Sequence, residues 1–129
     1  AYPLGGQKFE FSTMAFGCAI GLTRSIEFLN KIGVENILQY NRQLADTLIA
    51  GLCSRDAVIT SPLNDRDRSS IVTAYFKNVD SKLIIKRLKE ASVFVSNRAG
   101  SIRFSPHLYN TCEDIDIVLR EIDSIMTNQ

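Results

Sequence analysis

Apolar residues along this chain recur in two rhythms, and the changes of rhythm mark its elements. Ala15, Ala19, Leu22, Ile26 and Leu29 follow the i, i+4, i+7 spacing of one helical face. They predict a helix capped by Ser12 or Thr13 and running to about residue 32, with Gly33 suited to its C-terminal cap. A second helix is expected over residues 35–52. Its buried stripe is Ile37, Leu44, Leu48 and Leu52, with Tyr40, Ala45 and Ile49 beside it. The connection is so short that the two helices should form an antiparallel pair or a sharp corner. Period-two and β-rich runs then predict strands over residues 57–60 and 70–76, separated by a polar loop at 61–69. Asp80 or Ser81 caps a helix to about residue 91, with Leu83, Ile84, Leu88 and Ala91 inward. Strands at 93–96 and 101–104 are joined by a turn at 97–100. Thr111, with Asp114 three residues on, reads as an acidic capping box. It opens a last helix that buries Ile115, Val118, Leu119, Ile122 and Ile125 and ends near residue 126.

The order α-α-β-β-α-β-β-α implies an α+β fold, a small mixed or antiparallel sheet covered by helices on one face and preceded by a helical pair. Residues 1–129 are expected to form a single domain. Pro3 and Gly5-Gly6 make residues 1–12 an irregular leading arm. The chain opens on Ala1 rather than methionine, which reads as a domain excised from a longer polypeptide.

Composition narrows the function classes. A net charge of +1 argues against a nucleic-acid or anionic-membrane surface. No apolar run is long enough to span a bilayer. Three cysteines, Cys18, Cys53 and Cys112, form no C-x-x-C spacing, which fits a reducing compartment such as the cytoplasm. They read as small buried hydrophobes or inert thiols. The lone His107 has no partner at metal-ligand spacing, so no metal site is expected. There is no P-loop, no dinucleotide glycine fingerprint and no G-x-S-x-G elbow.

Arg103 is the leading candidate for binding. With Ile102 and Phe104 turned inward, alternation points Arg103 away from the core. Its planar fork grips a carboxylate through two hydrogen bonds, although arginines so placed are ordinarily solvated or salt-bridged. Arg98 reads as a turn residue, and His107 as a side chain that docks the loop by a hydrogen bond. Tyr109 reads as an aromatic plug and Asn110 as an Asx-type tie. Lys82, Lys86 and Lys89 make a solvated helix face.

With these residues in view, the chain resembles the C-terminal domain of a class V aminotransferase, a group of pyridoxal 5'-phosphate (PLP) enzymes of fold type I. The group includes cysteine desulfurases and isopenicillin N epimerase-like proteins. The resemblance rests on Phe9-Glu10-Phe11-Ser12-Thr13, on Ile32-Gly33, on Arg98-Ala99-Gly100, and above all on the pattern R-x-S-x-x-x-Y-N-T-x-x-D-I-D from Arg103 to Asp116. It implies that Arg103 binds the α-carboxylate of an amino-acid substrate. It also implies that Thr13 reaches the cofactor phosphate of the partner subunit in a homodimer. Ser12 stands where family members often carry glycine. Cysteine desulfurases hold their persulfide-forming cysteine in a longer insertion after the position of Arg98. Here Ala99-Gly100-Ser101 follows directly, with no cysteine. The essential lysine of such enzymes lies upstream of the matched region, so no catalytic residue is assigned and no PLP is expected on this chain alone. The alternative is a non-catalytic αβ module for ligand sensing or dimerisation. Phe16 and Ile20 on the first helix predict self-association of the isolated chain.

Overall fold

In a computed structural model, which describes residues 5–6 and 15–127, the chain divides after residue 34 into two compact units. The first contains α1 (Phe16–Ile32). Ala15 occupies its N-cap without a side-chain hydrogen bond, and Ser12 and Thr13 lie outside the described residues. The amphipathic pattern produced the helix, but none of its residues is buried, and Phe16 and Ile20 are each 64% exposed. A periodic stripe specifies a face to be covered and does not supply the cover.

The second unit holds α2 (Val34–Cys53, from Glu35 on), β1 (Val58–Ile59), β2 (Val72–Tyr75), α3 (Ser81–Glu90), β3 (Ser96–Arg98), β4 (Ser101–Phe104) and α4 (Cys112–Thr127). Its four strands pair antiparallel throughout in the order β1-β2-β4-β3. One face of the sheet, carrying Val72, Ala74, Ile102 and Phe104, shares a core with Leu44, Leu48 and Leu52 of α2, Ile84 and Leu88 of α3, and the expected five residues of α4. The α+β class and the one-sided helical cover are as the patterning predicts.

Capping sets the helix starts. Asp80 accepts from Lys82 N at 2.9 Å and opens α3. At α4 the capping box is reciprocal. Asp114 N donates to Thr111 Oγ1 at 3.3 Å, and Thr111 N donates to Asp114 Oδ2 at 2.9 Å. Gly51 breaks helix propensity near the end of α2, and packing explains it: a Cβ there would stand 2.3 Å from Leu119 Cδ1.

Several expectations are corrected. The third strand is Ser96–Arg98 rather than residues 93–96. Ala99 and Gly100 both take positive φ, 48° and 84°. That suits a two-residue hairpin loop of the primed type, which pairs Arg98 with Ser101 and leaves Val93–Val95 outside the ladder. Leu83 is 39% exposed, so the inward stripe of α3 is Ile84 and Leu88. All three cysteines are exposed and reduced, so none is a buried hydrophobe. Asn41, unremarked in the pattern, is 5% exposed within the stripe of α2.

One ion pair ties the end of α2 to α4. Arg55 donates through Nε and a terminal nitrogen to the two oxygens of Asp123, each at 2.6 Å, and through the other terminal nitrogen to Gly51 O at 2.8 Å. The Arg55 hydrogen bond holds the Asp123 carboxyl below its ordinary range; burial opposes this weakly and the opposite charge adds to it. The folded state therefore gains from the pair above the unfolded carboxyl pKa of about 3.9, and loses the gain as pH falls through the lower folded value. Asp123→Asn should cost at most about 1 kcal/mol at pH 7, because the Asp123 side chain is half exposed and solvent screens the pair. In melts from pH 7 down to 2, the difference between variant and parent should shrink towards zero. A constant difference would mean that the charge is not its source.

Candidate functional site

β4 runs between β2 and β3, so its residues have neighbours on both sides. Ile102 and Phe104 enter the core at 0% and 3% exposure, and Arg103 rises from the opposite face. In register, Arg103 lies opposite Thr73 on β2 and opposite Ser96 on β3. The three side chains form a row across the sheet, with neighbouring Cβ atoms about 4.5–5.5 Å apart as in any antiparallel pair.

That face is rich in hydroxyls. Thr60 Oγ1 is hydrogen-bonded to Thr73 Oγ1 at 2.8 Å and lies 3.4 Å from Ser101 Oγ, while Thr73 N donates to Ser61 Oγ at 3.2 Å. Arg103 itself is half-buried, makes no ion pair or side-chain hydrogen bond among the described residues, and has a buried Nε with no partner. A guanidinium that merely decorated a surface would stand in water. Here the side chain is half-buried, and its outer nitrogens make no hydrogen bond to the described residues. The cation is partly desolvated, and none of the described residues supplies a counter-charge to it.

The loop after β4 is fastened at both ends. Asn110 Oδ1 accepts from His107 N at 3.0 Å, Asn110 N donates to His107 O at 2.8 Å, and Asn110 Nδ2 donates to Asp114 Oδ2 at 3.3 Å. Tyr40 of α2 donates its hydroxyl to Asn110 O at 2.8 Å. Asn110 is thus the Asx-type tie expected of it, joining β4 to α4 and α2. His107 differs from expectation. Its ring docks the loop by stacking on Tyr109, with centroids 5.4 Å apart, and its Nδ1 is buried without a partner. Tyr109 is no core plug, being 75% exposed. Arg98 is exposed at the end of β3 and its side chain bonds nothing among the described residues.

A separate groove of about 550 Å³ lies on the helical side, lined by Val93, Phe94, Pro106, Tyr109, Asp114 and Ile117 among others. Arg103 is not part of it. Among the described residues no cluster of histidine, cysteine and carboxylate side chains could hold a metal ion, and no helix is long and apolar enough to cross a membrane. The cofactor candidate Thr13 lies outside the described residues. Of the two candidates named from the sequence, Arg103 is the one the described residues contain.

Thr73 and Ser96 escaped the sequence reading. Alternation places each on one face of its strand, but only the pairing register sets them beside Arg103.

Comparisons with known proteins place the fold. The family model "Aminotransferase class-V" matches residues 5–118. A probable cysteine desulfurase of Methanothermobacter thermautotrophicus is 24% identical over 92% of this chain and 34% of its own length. An uncharacterized aminotransferase of Schizosaccharomyces pombe is 28% identical over 95% of this chain and 31% of its own. The solved apo structure of a cysteine desulfurase from Thermococcus onnurineus NA1 superposes over 100% of this chain and 37% of that one, with a TM-score of 0.89 at 20% identity, a likeness of fold. The chain spans about a third of the length of the curated relatives it matches.

Proposed function

Because the chain belongs to the class V aminotransferase family, we propose that it is the substrate-gripping domain of a PLP-dependent enzyme acting on an amino acid, with Arg103 binding the substrate carboxylate. Class V aminotransferases and cysteine desulfurases depend on PLP, which when bound supplies an electron sink for the bonds of an amino acid. The contribution of this chain is binding and orientation. Arg103 offers two parallel N–H donors to one carboxylate, which fixes the position of the amino acid and the direction in which its α-carbon points. The half-buried, unpaired state of Arg103 on the open face of the central strand carries this reading.

The reaction branch proposed is other than desulfuration through a loop persulfide. Arg98 and Ser101 are joined by the two-residue turn Ala99-Gly100, which carries no cysteine, and Cys112 stands at the start of α4 rather than in that turn. In the parent, a cytoplasmic homodimer is the assembly the family resemblance suggests, with Thr13 directed to the partner's cofactor phosphate. The test uses the full-length parent polypeptide, purified with PLP and assayed for turnover of a panel of amino acids. Turnover with PLP-type visible absorbance is expected. A full-length protein that neither binds PLP nor converts any amino acid would overturn the reading in favour of a non-catalytic module.

A further inference from the structure

The row that flanks Arg103 carries a finer inference, which rests on the carboxylate reading above. We propose that Thr73 and Ser96 are specificity-determining residues, and that with Arg103 they form a three-residue clasp for a carboxylate. An ionised carboxylate offers about four lone-pair sites, and an arginine fork fills two of them. The rest need donors at the same spot, or they keep water and weaken the grip. A hydroxyl on each side of the guanidinium answers that need.

The geometry singles out these two residues. Thr73 and Ser96 are the direct register partners of Arg103 on its two neighbouring strands. Both are half-buried, as is Arg103, whose Nε is buried. Ser96 makes no side-chain hydrogen bond among the described residues and keeps its donor free. Thr73 Oγ1 is hydrogen-bonded to Thr60 Oγ1 at 2.8 Å, which fixes its rotamer; with Thr60 donating, the Thr73 proton is left to give. Neutral hydroxyls add donors without adding charge. A carboxylate accepts at every site, whereas an amide turns a donating nitrogen towards the donor-only guanidinium at the centre of the row.

Nuclear magnetic resonance of the 129-residue chain tests this without cofactor or turnover. Sodium propionate is titrated against propionamide, and the amide resonances of Thr73, Ser96 and Arg103 are followed. Saturable shifts centred on this row are expected for propionate and not for propionamide. Ser96→Ala and Thr73→Val should each weaken propionate binding about 10- to 100-fold, the net worth of one hydrogen bond to a charged acceptor. Ser96→Thr and Thr73→Ser, which keep the hydroxyl, should restore it. Shifts that survive Arg103→Ala would overturn the carboxylate reading itself. Shifts abolished by Arg103→Ala but unchanged in Ser96→Ala and Thr73→Val would leave that reading standing and overturn the clasp. No saturable response to propionate, or an equal response to propionamide, would also overturn it.

Discussion

Arg103→Ala in the full-length parent should lower kcat/KM towards its amino acid about 100- to 1000-fold, while the fold keeps its melting temperature. The size follows from the two charge-assisted hydrogen bonds that a bidentate guanidinium makes to a carboxylate. The stability half follows from this structure. Arg103 makes no ion pair or side-chain hydrogen bond among the described residues, so its loss breaks none. Truncation also removes a buried Nε that has no partner, so stability should hold within about 0.5 kcal/mol or rise slightly. Arg103→Lys should recover only part of the activity, because an ammonium keeps the charge and loses the planar fork. Steady-state kinetics and a thermal melt on the same three proteins decide it. An alanine variant with near-parental kcat/KM would remove the carboxylate assignment. A variant that loses activity and melting temperature together would show that the side chain is structural.

One residue away the balance inverts. Ile102→Ala should destabilise the fold by about 2–5 kcal/mol, the range for truncating a fully buried aliphatic side chain. Ile102 is 0% exposed, and its partner on β2 is Ala74, also 0% exposed. A small neighbour has no side chain to swing into the cavity, which favours the upper part of the range. For a unit of roughly a hundred residues this is a fall in melting temperature of ten degrees or more. Ile102→Val removes one methylene and should cost only about 0.5–1.5 kcal/mol. Circular-dichroism melts of the two variants measure both values. A loss below about 1 kcal/mol for alanine would mean that the centre of the sheet is not the close-packed region described here. The pair of experiments separates the two faces of β4, one holding the fold and the other presenting the proposed carboxylate grip.

The helices and the central strands were legible because their signals are local. The period of Ile115, Val118, Leu119, Ile122 and Ile125 states which side of α4 must leave water, and the structure buries all five. The Thr111–Asp114 box needs only three residues of separation, and both of its hydrogen bonds are made. The outward direction of Arg103 follows from alternation within a single strand. Errors fell where a distant neighbour decides the outcome. Val93–Val95 has stronger strand propensity than Ser96–Arg98, yet the positive φ angles at Ala99 and Gly100 set the register and chose the polar residues. Cysteine and tyrosine tend towards burial, yet Cys18, Cys53, Cys112 and Tyr109 are all exposed.

The amino-acid order alone determined the succession of elements, the faces they bury and the motif that marks Arg103, because hydrophobic period, capping and alternation act over a few residues. Tertiary structure alone decided which side chains stand beside that arginine. Thr73 lies thirty positions before it and Ser96 seven, and they meet it only through hydrogen-bonded strand pairing. A one-residue slip in that pairing would turn Thr73 and Ser96 to the opposite face, because side chains alternate with period two.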